Sequence, residues 1–388
     1  MKSFHKSFRT PSFLALAVAA ALAGCAATQD VGHSAMNMVK SATGQAQVVR
    51  QDVAPALYQV AYSPSEDVVY AVSAGNPKDP ASGVKSKLFK LDPETLAVKA
   101  EIDLPKPGYG LKLDDDAHRL YIVDTRGGTL MVFDTASSQV TASLTMPPVL
   151  DAQGKPEKIE YREIVVDKAN NRLYLPAMSY HDSKLQVVNL ETLTVERTIP
   201  GFNFGATGIS MDSAAGKLYV SNLVGQLFVV DIGTLAITDR FEVQGDQLLT
   251  LVMDHGNKRL LAVDQGFDRL DVVRKERGGL NYQPRTQGNQ VLALDPSSGK
   301  VLQNIKVGTQ PVDLLLDAPR NRLYVSNRVS GNISVVDPRT GQEIKTIDLP
   351  THPNSFALNP KTGTVYVTVK LPKEKSMTDK ESVARISF

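Results

Sequence analysis

The residues of this chain that could carry chemistry are few and scattered. Six His residues stand at 5, 33, 118, 181, 255 and 352, without the i, i+4 pairing or close spacing from which zinc sites are built. No Ser-His-Asp arrangement and no glycine loop for a phosphate is visible. Soft ligands gather once, as His33, Met36 and Met38 in the run HSAMNM. Thioethers beside an imidazole suit Cu(I), but one unrepeated run reads more simply as linker. Cations do gather. The stretch 274–289, RKERGGLNYQPRTQGN, holds Arg274, Lys275, Arg277 and Arg285 against Glu276 alone, with Tyr282 among them. A second stretch, 370–380, holds Lys370, Lys373, Lys375 and Lys380. Cations along a path, with rings for stacking, are what a single strand of nucleic acid requires. A solvated loop is the plainer reading of both.

Such groups need a scaffold, and a repeat supplies it. In 310–349 a short apolar run, 312–317, is bounded by Pro311 and by Ala318-Pro319, which suits a buried strand better than a helix. An Asn321-Arg322 turn follows, and then runs at 323–326, 333–337 and 343–349, rich in β-branched residues and separated by turn residues. One unit therefore holds four antiparallel strands. The second strand recurs with Tyr, or once Leu, at 70, 121, 174, 219, 261, 324 and 366, at gaps of 51, 53, 45, 42, 63 and 42 residues. About 42 residues is the size of a propeller blade, and longer gaps need loop insertions. The third strand ends in Asp92, Asp134, Asn189, Asp231, Asp295 or Asp337, a side chain that bonds a backbone amide two residues on. A carboxylate repeated at a turn in this way is a folding signal.

The fold class expected is all-β, a seven-bladed β-propeller of four antiparallel strands per blade, over 47–388. The seventh copy lacks a strand, and QVVRQDV at 47–53 can complete it, joining the chain ends and removing an open edge. Three segments exceed the period, at 76–87, 147–159 and 274–289. Insertions on a rigid scaffold are where binding tends to be placed.

The turns leading into the innermost strands should ring one mouth of a central channel. They hold Tyr109, Arg162 with Glu163, Phe204, Asp246 with Gln247, Gln310, and His352 with Asn354. Such a set suits a small anion, a base or a peptide end; equally, Arg162 and Glu163 can pair with neighbours and His352 can cap a turn. An enzyme reading is weaker. A metal-dependent propeller needs several oxygen ligands in the pore, and Glu163, Asp246 and Asn354 are the set on offer. Quinone-dependent propellers carry Trp-containing docking motifs, and this chain has no Trp. We therefore expect no metal, no cofactor and no catalytic residue.

The start of the chain carries a different message. Lys2, Lys6 and Arg9 precede an apolar run, 13–22, closed by Leu22-Ala23-Gly24-Cys25. The run is too short to span a bilayer and has the flanks of a secretory signal. Its close matches a bacterial lipobox, so 1–24 reads as a lipoprotein signal peptide and Cys25, the only cysteine, as the lipid attachment site. Multiple acyl chains anchor stably, and Ala26 after the cysteine points to the outer membrane. Residues 25–46 read as a lipidated tether reaching roughly 25 Å. Removal of 1–24 leaves 40 basic and 41 acidic residues, a body with no global electrostatic pull toward nucleic acid.

Across 48–388 the sequence resembles the YncE family of bacterial envelope propellers. The resemblance rests on Thr351-His352-Pro353-Asn354-Ser355-Phe356-Ala357-Leu358, on VYVTVK at 365–370, on YREIVVD at 161–167 and on ATGISMD at 206–212. It implies a periplasmic setting and an association with DNA, single strands in particular. The combined expectation is a monomeric, non-catalytic outer-membrane lipoprotein facing the periplasm. Its expected partners are the membrane through its lipid, single-stranded DNA and envelope proteins. The alternatives are a protein or cell-wall scaffold, and a metal- or quinone-dependent enzyme.

Overall fold

The computed structural model describes residues 45–150 and 153–388. The expected signal peptide 1–24, the expected lipid site Cys25 and most of the expected tether lie outside the described residues. Seven antiparallel sheets make up the ring, six of four strands and one, the third, whose innermost strand is in two pieces. Innermost strands of successive blades touch, and the seventh touches the first. The seventh sheet takes its outermost strand, Gln47–Ala54, from the start of the described chain, pairing with Glu381–Ser387 from Gln47 opposite Ser387 to Ala54 opposite Glu381. The 310–349 unit forms as expected, with strands at Pro311–Asp317, Arg322–Asn327, Asn332–Val336 and Glu343–Asp348.

The recurring tyrosines explain why the blades need one another. Tyr70, Tyr121, Tyr174, Tyr219, Tyr324 and Tyr366 are all buried, as is Leu261 at the seventh position. Each packs against the following blade: Tyr121 meets Tyr161 and Ile164 of the third, and Tyr366 meets Val53, Val69 and Phe89 near the first. Truncating one to Ala would remove a ring from both sheets at once, a loss of about 3–5 kcal/mol. The repeated acids behave as turn formers. Asp92 Oδ1 accepts the amides of Glu94 and Thr95, Asp231 that of Thr234, and Asp337 those of Arg339 and Thr340.

Strand order sorts the connections onto two faces. First-to-second and third-to-fourth strand turns share one face and are short. Second-to-third loops and blade-to-blade links share the other, and every long excursion opens there: 74–86, 147–159, 265–289 and 371–380. One of these is not a loop. Leu270–Gly278 is a helix, α1, closed by Gly279 at φ 62°. A nine-residue helix inside an insertion leaves too short a pattern for sequence reading.

Candidate ligand-binding site at the mouth of the ring

The innermost strands are least regular where they face the axis. Ladder register shifts at Leu57/Val60, Leu248/Leu251, Pro311/Asp313 and Pro353/Phe356, and in the third blade the strand breaks between Glu160–Tyr161 and Val165–Asp167. A bulge re-aims the side chains it frees, and those freed here, among them Gln59, Glu163, Thr250 and Asn354, line the axial channel together with Asp313 beside the sixth-blade bulge. The second and fourth blades use glycine at the matching place. A Cβ at Gly110 would lie 2.4 Å from the Arg162 carbonyl oxygen, and one at Gly208 would lie 2.4 Å from Ser221 Oγ.

The channel is narrow, about 80 Å³, and its walls are polar. Gln59 Nε2 donates to Glu163 Oε1 at 3.3 Å. Asp313 accepts the amides of Leu314 at 2.9 Å and Phe356 at 3.1 Å. Burial, and then the neighbouring Glu163 charge, push the Asp313 carboxyl up to about 7. Burial raises Glu163 as well, against the pull of Lys112 and Arg162.

At the insertion-bearing face the channel opens into a cavity of about 560 Å³, a size that takes a small organic ligand. Tyr58 and Tyr109 stand edge to face on one wall, ring centroids 5.1 Å apart, near Ala56 and Ala74. The polar lining is lopsided. Lys78, Arg126, Arg162, Arg328 and Lys373 are cations, and Glu160 is the only acid. Glu160 is engaged by Arg162 at 2.9 Å; burial opposes its carboxylate, yet Arg162 holds it below the ordinary range. Arg126, Arg328, Lys78 and Lys373 have no ion pair among the described residues. Lys370 differs, being buried against Glu381 at 3.1 Å and donating also to the Leu57 carbonyl. Glu381 is held in turn by Leu371 N and Ser376 Oγ, which fixes the 371–380 loop as a wall.

The residues singled out from the sequence divide. Tyr109, Arg162 and His352 meet in the cavity, and Arg162, Glu163 and Asn354 line the channel. His352 Nδ1 lies 2.8 Å from the Arg328 carbonyl oxygen, to which it donates, and Asn354 Nδ2 donates to the Tyr58 carbonyl at 3.0 Å. Gln310 lines neither space: its amide donates to Asn289 Oδ1 and its carbonyl accepts from Arg328 N, so it shapes a turn. Phe204 is buried under the insertion, and Gln247 is tied to Phe267.

The expected basic patch needs correction. Arg274 is 1% exposed, ion-paired with Asp246 at 3.0 Å and Asp271 at 2.7 Å, and its guanidinium lies 4.3 Å from the Tyr282 ring centre. Tyr282 Oη donates to the other oxygen of Asp246 at 2.5 Å. Asp246 is therefore the insertion's anchor and no channel ligand. Arg285 pairs with Glu242 and donates to the Val224 and Gly225 carbonyls. Lys275 and Arg277 both stand exposed without an ion pair among the described residues, Arg277 donating to Tyr180 Oη at 3.0 Å. The buried Asp246 and the exposed Glu242, invisible as partners in a linear reading, engage Arg274 and Arg285.

Thr125 and Arg126 on the second blade and Arg328 on the sixth escaped sequence reading as a set because the ring, not the chain, brings them together. The available signal was positional: each follows the aligned polar residue, Asp124 or Asn327, that ends the second strand and starts the loop on this face.

No protein-family model matches the chain. It is similar to two curated bacterial proteins named uncharacterized protein YncE. The protein of Salmonella typhimurium is 27% identical over 296 residues, covering 74% of this chain and 75% of its own length. That of Escherichia coli K12 is 26% identical over 307 residues, covering 72% and 85%.

Proposed function

The chain is a YncE-like propeller, and we propose that it is a non-catalytic binding protein of the cell envelope. Its binding face is the insertion-bearing one, its anchor is a lipid on Cys25, and its ligand class is an extended polyanion, single-stranded DNA. The observation that supports this most is the set of cations without ion pairs, Lys78, Arg126, Arg328 and Lys373, around a cavity walled by tyrosines. Unpaired cations beside rings attract phosphates and stack bases without demanding a sequence.

A mobility-shift titration with single-stranded and duplex DNA at several salt concentrations tests the reading. Single strands should bind better, with affinity falling as salt rises, and joint Arg126→Glu and Arg328→Glu replacement should abolish the shift. Absence of a shift at low salt overturns it. The anchor is tested separately: Cys25→Ala should release the protein from the membrane fraction, and unchanged fractionation rejects the lipid. A second reading, an envelope protein as partner, is favoured by Leu150, Val272, Val329 and Met377, large apolar side chains exposed on the same face. Val272→Glu with Val329→Glu would weaken that contact and leave DNA binding intact.

A further inference from the structure

We infer that the mouth cavity is a pocket for a phosphate monoester carried on a flat ring system, a nucleoside monophosphate in chemical class. The inference rests on the insertion-bearing face being the binding face, and it names which group enters and which atoms meet it.

Two buried polar atoms in the cavity lining carry the argument. Arg162 Nε and Thr125 Oγ1 have no hydrogen-bond partner among the described residues, although Arg162 is otherwise ion-paired and Thr125 is 4% exposed. An unpartnered buried donor costs about 1–3 kcal/mol, and here two of them belong to residues that line one space beside Arg126 and Arg328. One guanidinium edge, one hydroxyl and two further guanidinium groups are a donor set for a compact, multiply charged oxyanion. Carboxylate competition is slight, because Glu160 is held by Arg162.

Size and shape narrow the class further. A bare phosphate would fill a small part of about 560 Å³. Tyr58, Tyr109, Leu371 and Met377 give the remaining wall an aromatic and aliphatic part, beside the polar Asn76, His352 and Ser376. Beyond Arg162 and Arg328, which line both spaces, the cavity contracts to the channel of about 80 Å³. That taper leaves no passage for a strand to thread, so the occupant is an end group or a free small molecule.

The experiment titrates the mature chain calorimetrically with thymidine 5′-monophosphate, thymidine and inorganic phosphate, and then with oligothymidylate bearing or lacking a 5′-phosphate. The monophosphate should bind at least tenfold more tightly than thymidine or phosphate alone. Thr125→Val and Arg328→Gln should each weaken it about tenfold, while Lys275→Gln on α1 leaves it unchanged. Thr125→Val keeps the shape of a side chain without a partner, so it tests the contact without unfolding the wall. A monophosphate no tighter than thymidine, or affinity indifferent to both variants, overturns the inference. Strands that bind only when phosphorylated identify a strand end as the source, and strands indifferent to the phosphate identify a free mononucleotide. If the monophosphate binds and no strand does, the DNA reading falls and the pocket stands. If strands bind and the monophosphate does not, the reverse holds.

Discussion

Two regions on one face gather positive charge, one from a single stretch of chain and one from four blades, and the ring treats them oppositely. In 265–289, Arg274 and Arg285 turn inward to Asp246 and Glu242 and to backbone carbonyls of the fourth blade, so the charge fastens an insertion to its scaffold. Around the mouth cavity, Lys78, Arg126, Arg328 and Lys373 meet no acid within ion-pairing distance among the described residues and stay free for a ligand. Density of charge along the chain does not separate the two cases. What separates them is whether a carboxylate stands within ion-pairing distance: Asp246, buried, and Glu242, exposed, do so for Arg274 and Arg285, and none does for the four cavity cations among the described residues.

The strongest challenge to this contrast is Asp246→Ala, which strands Arg274 in the interior. A loss of about 3–5 kcal/mol is expected, read by urea unfolding together with faster hydrogen exchange across 265–289. Normal stability would mean that the insertion is not held by its cations. Glu381→Gln comes next. It weakens the bonds to Lys370, Ser376 and Leu371 N, at an expected loss of about 2 kcal/mol. Because these bonds hold a cavity wall, ligand binding should fall with stability, a coupling that Asp246→Ala should lack.

The channel gives a smaller, pH-dependent effect. Asp313 is raised to about 7 from 3.8, so between those values the folded state holds the extra proton. Stability is therefore fully present below pH 4 and falls as pH rises toward 7, with a slope for this group of at most about 1.4 kcal/mol per pH unit. Asp313→Asn should flatten that segment of a stability-against-pH curve, and an unaltered slope would remove the assignment. The smallest effect sharpens the contrast most. Arg328→Gln should shift stability by less than about 0.5 kcal/mol in thermal unfolding, and a larger loss would place Arg328 with the structural cations.

The fold was legible because it is written seven times. A tyrosine that wedges between sheets marks six of the seven blades, an Asp or Asn that closes a turn marks six, and 310–349 states the unit almost without insertion. The site was legible only in part. Tyr109, Arg162, Glu163, His352 and Asn354 lie where innermost strands begin, a position that alignment of repeats reveals, and they do reach the cavity or the channel. Gln310 occupies the same position and misses both, because its left-handed backbone, φ 53°, directs it into a turn. Asp246 and Arg274 were misplaced for one reason: they are partners, 28 residues apart, and a linear reading assigns one to the pore and the other to the surface.

The closing strand has a consequence for orientation. Gln47 opens that strand opposite Ser387 and Ala54 ends it near the link into the first blade, so the strand runs from the face of short turns toward the cavity face. Gln47 therefore stands on the side of the ring remote from the cavity. The described chain thus enters at the back of a disc that carries its ligand mouth on the front.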